Sequence, residues 1–286
     1  MTPAARLRSL IGNGKIVVAP GAMDSLSARL VERAGFPAVY MTGLGATASR
    51  LGQPDIGLLS QTEMTEHARN MARAVSVPII ADADTGYGGL SNIHRTVREY
   101  VQAGVAAIHL EDQVAPKRCG QLAGIKLIDA EDAANRLRCA VAARGGDDLL
   151  IIGRTDAMPA VGAEEAIRRA QLYQGAGVDL VFVDGIKTIK EVEAVAKNVS
   201  GPKVVSIVDG NETVKLTTRD LEAMGFQVVL YAVTTLFAAM AAVEAALRHL
   251  RDAGTPAGGP PGATYGDLCE IVGLDFHQRL EEQFGK

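Results

Sequence analysis

The stretch Gln102-Ala103-Gly104-Val105-Ala106-Ala107-Ile108-His109-Leu110-Glu111-Asp112 contains a helix stop, an apolar strand and an acidic strand end in direct succession. Ala-Gly after an amphipathic segment marks a helix C-terminus, because glycine takes the left-handed conformation there without a side-chain clash. The short apolar run that follows reads as a buried strand. The same ending recurs at Arg33-Ala34-Gly35-Phe36, Gly175-Ala176-Gly177-Val178 and Ala223-Met224-Gly225-Phe226.

Outward from this unit, strand-like runs cover 16–19, 38–42, 78–81, 107–111, 150–154, 180–183, 204–207 and 228–231. Amphipathic helical segments lie between them, including 23–34, 61–74, 92–103, 130–143, 163–176 and 218–224. Continuous apolar strands alternating with helices imply a parallel sheet covered by helices, and eight pairs favour a closed (β/α)8 TIM barrel over residues 1–252. An open doubly wound sheet is the alternative, disfavoured because no Gly-x-Gly-x-x-Gly follows the first strand. Residues 253–263, AGTPAGGPPGA, form a Gly/Pro linker, and 264–286 form a C-terminal helical segment outside the eightfold pattern. Leu268, Ile271, Leu274 and Phe276 on that segment suit burial either on another subunit, making an oligomer, or on its own barrel.

The chain has 286 residues, 48% of them hydrophobic, and 33 acids against 29 bases give a net charge of −4. No run of five or more Lys and Arg occurs, which excludes the electrostatic signature of nucleic-acid or anionic-membrane binding. Residues 1–15 lack the apolar stretch of a signal peptide, and the greasiest segment, 230–247, is broken by Thr234, Thr235 and Glu244. Cys119, Cys139 and Cys269 are odd in number and far apart, so a disulfide framework or structural zinc is not expected and a reducing cytoplasm is.

A barrel keeps its chemistry at the C-terminal ends of its strands. Here those ends read Tyr40-Met41-Thr42-Gly43, Asp82-Ala83-Asp84-Thr85-Gly86-Tyr87-Gly88, Glu111-Asp112-Gln113 and Arg154-Thr155-Asp156. Asp82 and Asp84 share one side of an extended chain, and Glu111 and Asp112 end the next strand. Four carboxylates at one rim call for a hard cation, Mg²⁺ or Mn²⁺ rather than zinc. Acids that merely cap helices are the structural alternative. Next comes Lys117-Arg118-Cys119-Gly120-Gln121, in which two cations would favour the Cys119 thiolate. Of the five histidines, His109 alone adjoins the rim; the others read as structural, and Arg136, Arg138, Arg168 and Arg169 read as solvated helix faces.

Together Asp82-Ala83-Asp84-Thr85-Gly86-Tyr87-Gly88, Arg95-Thr96-Val97, Glu111-Asp112-Gln113 and Lys117-Arg118-Cys119-Gly120 resemble the isocitrate lyase/phosphoenolpyruvate mutase superfamily. The likeness runs from Pro20-Gly21-Ala22-Met23-Asp24 through Arg154-Thr155-Asp156-Ala157 to Gly273-Leu274-Asp275. Lys-Arg-Cys-Gly marks its carbon–carbon lyases, such as the 2-methylisocitrate and 2,3-dimethylmalate lyases. The resemblance implies a homotetramer with the C-terminal helix swapped between subunits, and Mg²⁺ held by Asp82 and Asp84 with Glu111 and Asp55 acting through water. It implies that Thr42, Gly43 and Leu44 hold the carboxylate of a pyruvate-like half, that Tyr40 lines that pocket, and that Arg154 binds substrate. The Cys119 loop would be the gate, with Lys117, Arg118, Gly120 and Gln121 of that loop, and Asp184 and Ser206 of later strands, against substrate.

Cleaving a 2-hydroxy acid into an α-keto acid and a carboxylic acid leaves a carbanion that needs a proton, and Cys119 is the candidate general acid. Tyr40 is the candidate base, although an ordinary phenol pKa of about 10 is high for that task. Three positions depart from the lyase pattern: Gln121 replaces His, Asp184 replaces Glu and Ser206 replaces Asn. These predict a second substrate half different from that of methylisocitrate. Alternatives are an oxaloacetate decarboxylase or hydrolase on the same metal site, a C–P bond mutase, and a catalytically silent binding barrel.

Overall fold

Gly104 has φ +82°, and Gly35, Gly177 and Gly225 have φ of +86°, +86° and +81°, so the four Ala-Gly or Met-Gly endings are left-handed helix stops. In the computed structural model, which describes residues 1–285, each stop is followed by a strand. The strands are β1 (Val17–Ala22), β2 (Val39–Met41), β3 (Ile79–Asp82), β4 (Ala107–Glu111), β5 (Leu150–Thr155), β6 (Leu180–Val183), β7 (Lys203–Ile207) and β8 (Val228–Tyr231). They pair in parallel in sequence order, and β8 closes on β1 with Val17 opposite Val228. The fold is a (β/α)8 TIM barrel.

Two apolar layers hold it together. Val17, Ala19, Tyr40, Ile80, Ile152, Phe182, Val204 and Leu230 fill the barrel interior. Ala4 and Leu7 of helix Pro3–Gly12 join that cluster and cover the N-terminal end of the barrel. The opposite strand faces pack under the helices, where Met64, Met71, Ile93, Val97, Leu137 and Tyr173 are buried. Among the described residues, no helix is long and apolar enough to cross a membrane.

The chain divides into two compact units, residues 1–234 and 235 onward, so most of helix Thr234–Ala253 groups with the C-terminal helices rather than with the barrel. The expected boundary at 252 therefore falls inside the second unit. The expected single helix after the linker is two, Tyr265–Val272 and Leu274–Phe284, because Gly273 takes φ +75° between them.

Candidate active site

Residues two apart on a strand share a face. Ile80, Ala107, Ile152, Phe182 and Val204 line the barrel interior, so Asp82, His109, Arg154, Asp184 and Ser206 point along the same axis one layer nearer the mouth. Glu111 follows His109 by the same rule.

Asp112 is one position out of step and faces the helices. Its carboxylate accepts hydrogen bonds from Thr155 Oγ1 (2.6 Å), Tyr173 OH (2.6 Å), the Asp156 amide (2.9 Å) and Arg169 Nη1 (3.1 Å). It is thus a structural anchor, not a fourth rim carboxylate. Arg169, expected on a solvated face, is buried against it. Arg136 likewise turns inward to bond Gly88 O at 3.1 Å.

Asp84 lies beyond the end of β3, and the extended chain assumed from the sequence does not continue to it. It takes φ +46°, and its amide donates to Asp82 Oδ1 at 2.9 Å. This turn still brings both carboxylates to the mouth. Lys117 Nζ sits between Asp84 Oδ1 (2.7 Å) and Asp55 Oδ1 (2.8 Å). Burial pushes Asp84 up to about 6 despite Lys117, whereas at Asp82 three cations, His109 once acid has protonated it, Lys117 and Arg154, outweigh burial and hold it at about 2. Burial also raises Glu111 well above the usual carboxylate range.

Arg154 joins the far side of the mouth. Its Nη2 lies 2.7 Å from Asp184 Oδ2 and 2.8 Å from Asp156 Oδ1, and its Nε lies 3.3 Å from Glu111 Oε2. Six carboxylates (Asp55, Asp82, Asp84, Glu111, Asp156 and Asp184) therefore share two cations, Lys117 and Arg154, both already paired.

Tyr40 OH and His109 Nε2 are 3.0 Å apart, and His109 Nδ1 is 3.6 Å from Asp82 Oδ1. Burial holds His109 neutral, with its pKa lowered to about 4, and pushes the Tyr40 phenol well above its ordinary value. The tautomer protonated at Nδ1 faces Asp82 and leaves Nε2 to accept from the phenol. The strand alternation that points Asp82 and Glu111 inward also points His109 inward, so period two was the signal for its place in the site.

The loop after β4 is folded over the mouth. The Cys119 amide donates to Asp55 O at 3.0 Å, and Asn211 Nδ2 donates to Gln121 Oε1 at 3.1 Å. Gly120 fits where a side chain would not: a Cβ there would lie 2.4 Å from Asp184 Oδ2 and 2.8 Å from Asp156 Oδ1. Neither cation of the motif stabilises a thiolate. Lys117 turns inward to Asp55 and Asp84, while Arg118 is exposed and is not brought to the other site residues. Burial pushes the Cys119 thiol up to about 11, so the expected thiolate is corrected to a neutral thiol. Iodoacetamide should therefore modify Cys119 slowly at pH 8, with a rate rising about tenfold per pH unit to pH 10. A plateau by pH 9, read by peptide mass spectrometry, would contradict this.

Helix Gly43–Leu51 starts against Asp82, since a Cβ on Gly43 would lie 2.4 Å from Asp82 Oδ2. Thr42 Oγ1 caps the Gly45 amide, and the Gly43 and Leu44 amides, in the first turn, have no intrahelical acceptor. Such a terminus suits a carboxylate. Ser206 is buried at the end of β7.

Both Glu111 oxygens are buried without a hydrogen bond, Arg154 reaching one of them as a charge contact, and among the described residues the only close partner of the buried Asp84 Oδ1 is the Lys117 ammonium at 2.7 Å. Hard oxygens in that condition fit a divalent cation, which would favour their ionised forms. Asp55, by contrast, spends both oxygens on Lys117. Among the described residues, no three side chains already converge as a ligand set.

Residues 7–251 match the phosphoenolpyruvate phosphomutase family. The chain belongs to the phosphoenolpyruvate mutase/isocitrate lyase superfamily. It is an enzyme of the lyase and mutase class of that superfamily. It is 39% identical over 285 residues to the 2,3-dimethylmalate lyase of Eubacterium barkeri, covering 99% of each chain. Its fold is similar to that of an oxaloacetate acetylhydrolase complexed with 3,3-difluorooxalacetate, at TM-score 0.94 and 37% identity, covering 99% of this chain and 97% of that one. It also resembles a phosphonopyruvate hydrolase complexed with oxalate and Mg²⁺, at TM-score 0.90 and 31% identity with full coverage of both chains. Sequence reasoning assigned no role to Asp156, Gln113 or Asn211, which hold the Cys119 loop and Arg154 in place.

Proposed function

We propose that this enzyme is a Mg²⁺-dependent carbon–carbon lyase, able to use Mn²⁺, that splits a 2-hydroxy acid of the substituted-malate type into an α-keto acid and a carboxylic acid. The observation that carries the reading is the neutral Cys119 thiol on a loop closed over the carboxylate-rich mouth. A carbanion leaving group needs a proton donor that is protonated at neutral pH, and this thiol is one.

Asp82 and Asp84 would hold the cation, with Glu111 behind them; when bound, it supplies a Lewis acid that lowers the hydroxyl pKa and offsets developing negative charge. The Gly43 and Leu44 amides hold the carboxylate next to the hydroxyl-bearing carbon. Arg154 orients the substrate from the opposite strand. A carboxylate of the mouth takes the hydroxyl proton as the carbon–carbon bond breaks, and Cys119 Sγ gives its own proton to the departing carbon, so one proton is taken up for each one given. The raised phenol argues against Tyr40 as the base; with its O–H donating to His109 Nε2, its oxygen is left to accept from a substrate hydroxyl. The closed loop keeps water from the carbanion before Cys119 protonates it.

The test is a panel of malate, citramalate, dimethylmalate, isocitrate, methylisocitrate and oxaloacetate with Mg²⁺, coupling keto-acid release to a reductase. Chelation by EDTA should abolish release, and added Mg²⁺ should restore it. The likeness to the oxaloacetate acetylhydrolase favours a second reading, hydrolysis of oxaloacetate on the same site. Release of acetate and oxalate from oxaloacetate alone would select it.

The charge inventory narrows the substrate. Both cations are paired, and Gln121 is neutral and bonded to Asn211, so a third carboxylate would meet no counter-charge. An uncompensated buried charge costs about 3–5 kcal/mol. Dicarboxylates should therefore exceed isocitrate and methylisocitrate in kcat/KM by about 10²-fold or more; equal steady-state values would refute this.

Leu268, Leu274 and Phe276 are exposed on the C-terminal helices, which supports their burial by further copies in a homotetramer, testable by sedimentation. The odd number and wide spacing of the three cysteines support a reducing cytoplasm.

A further inference from the structure

Gln113 is buried at the root of the gate loop and takes no part in the chemistry above. It pairs with Leu127 in an antiparallel bridge, so it joins the two ends of the loop. Its side chain does more. A carboxamide offers two donor hydrogens and an acceptor oxygen, and all three functions are used. Nε2 donates to Arg118 O at 2.7 Å and to Asp156 Oδ2 at 3.1 Å, while Oε1 accepts from the Arg118 amide at 2.9 Å.

These bonds pinch the loop backbone immediately before Cys119. The resulting bend sends Lys117 inward and Arg118 outward. Asp156, fully buried, is shared: Oδ2 serves Gln113, Oδ1 accepts from Arg154 Nη2 at 2.8 Å, and Gly120 rests against that same Oδ1. The Asp156 amide is fixed in turn by Asp112 at 2.9 Å.

We infer that Gln113 is a positioning residue that latches the Cys119 loop to Arg154 through Asp156, so that the closed position of the thiol and the orientation of the guanidinium depend on each other. Glutamate cannot serve, because it would place an acceptor where two donors are needed and a carboxylate against Asp156. The inference concerns the loop's position and stands whether or not Cys119 is the proton donor.

Its test needs no turnover. Iodoacetamide modification at pH 8 is followed by peptide mass spectrometry at Cys119 and, as an internal control, at Cys139. Gln113→Glu and Gln113→Leu should each raise the Cys119 rate at least about tenfold while Cys139 stays within about twofold. Asp156→Asn should also accelerate Cys119, and the Gln113→Leu/Asp156→Asn double variant should gain no more than the larger single change. An unchanged Cys119 rate overturns the latch, as does a parallel rise at both cysteines. The unmodified protein gives a second reading: Gln113 Oε1 is the partner of the Arg118 amide, so that amide should exchange hydrogen at least about tenfold more slowly than a free peptide amide. Exchange at the free rate would equally overturn it.

Discussion

Cys119→Ala should lower kcat for carbon–carbon cleavage by about 10²–10⁴-fold with KM nearly unchanged. The reason is one of protonation state and place. Burial holds the thiol neutral, with its pKa pushed up to about 11, so it carries its proton throughout the neutral range. The loop that bears it is tied at the Cys119 amide to Asp55 O, and Gly120 packs on Asp184 and Asp156. Cys139, the other thiol of the barrel unit, lies on the outer helix Ala130–Arg144, against Leu90 O. The variant should keep its affinity for Mn²⁺, measured by calorimetry, because Cys119 is not among the proposed ligands. Full kcat on the substrate found in the panel would remove Cys119 from the chemistry and favour the hydrolase reading.

Arg154→Leu should destabilise the barrel by about 3–5 kcal/mol, lowering the thermal midpoint by roughly 6–20 °C for a chain of this size. The guanidinium lies among Glu111, Asp156 and Asp184, and each is buried. Leucine would keep much of the volume and leave three carboxylates uncompensated. The deficit should depend on pH. Burial already raises Glu111 and Asp184 above their unfolded values, and removing the cation raises them further. A carboxyl with a raised folded pKa contributes stability below its unfolded value of about 4, and that stability is lost as pH rises through the folded value. The gap between wild type and variant should therefore be wider at pH 8 than at pH 5.5, in scans at one fixed heating rate. A gap below about 1 kcal/mol at pH 8 would show that the cluster is far more hydrated than its burial indicates.

Much of the architecture was legible in the chain. The strand ends matched closely: β4, β6 and β8 coincide with 107–111, 180–183 and 228–231, because Gly104, Gly177 and Gly225 stop the preceding helices and turn the chain into the sheet. Part of the charged rim was legible as well, since the strand ends carry the acids Asp82 and Glu111 and the cation Arg154, all buried at the mouth. The direction each side chain takes was less legible. Asp112 and Glu111 are adjacent and chemically alike, yet alternation sends one to the helix layer and the other to the axis. Lys117 and Arg118 are equally adjacent, and the loop's bend parts them. His109 is the converse, a residue whose inward face follows from period two but whose link to Tyr40 crosses from one strand to another.

The sequence by itself determined the barrel and the superfamily and pointed to part of its mouth, because helix stops, apolar strand runs and strand-end acids are local signals read over a few residues. The tertiary structure decided the protonation state of Cys119, the pairing of Lys117 with Asp55 and Asp84, and the tie from Gln113 through Asp156 to Arg154. Each of these depends on burial or on a contact between segments far apart in the chain. Desolvation and ion pairing act through space, and spacing along the sequence carries no measure of either.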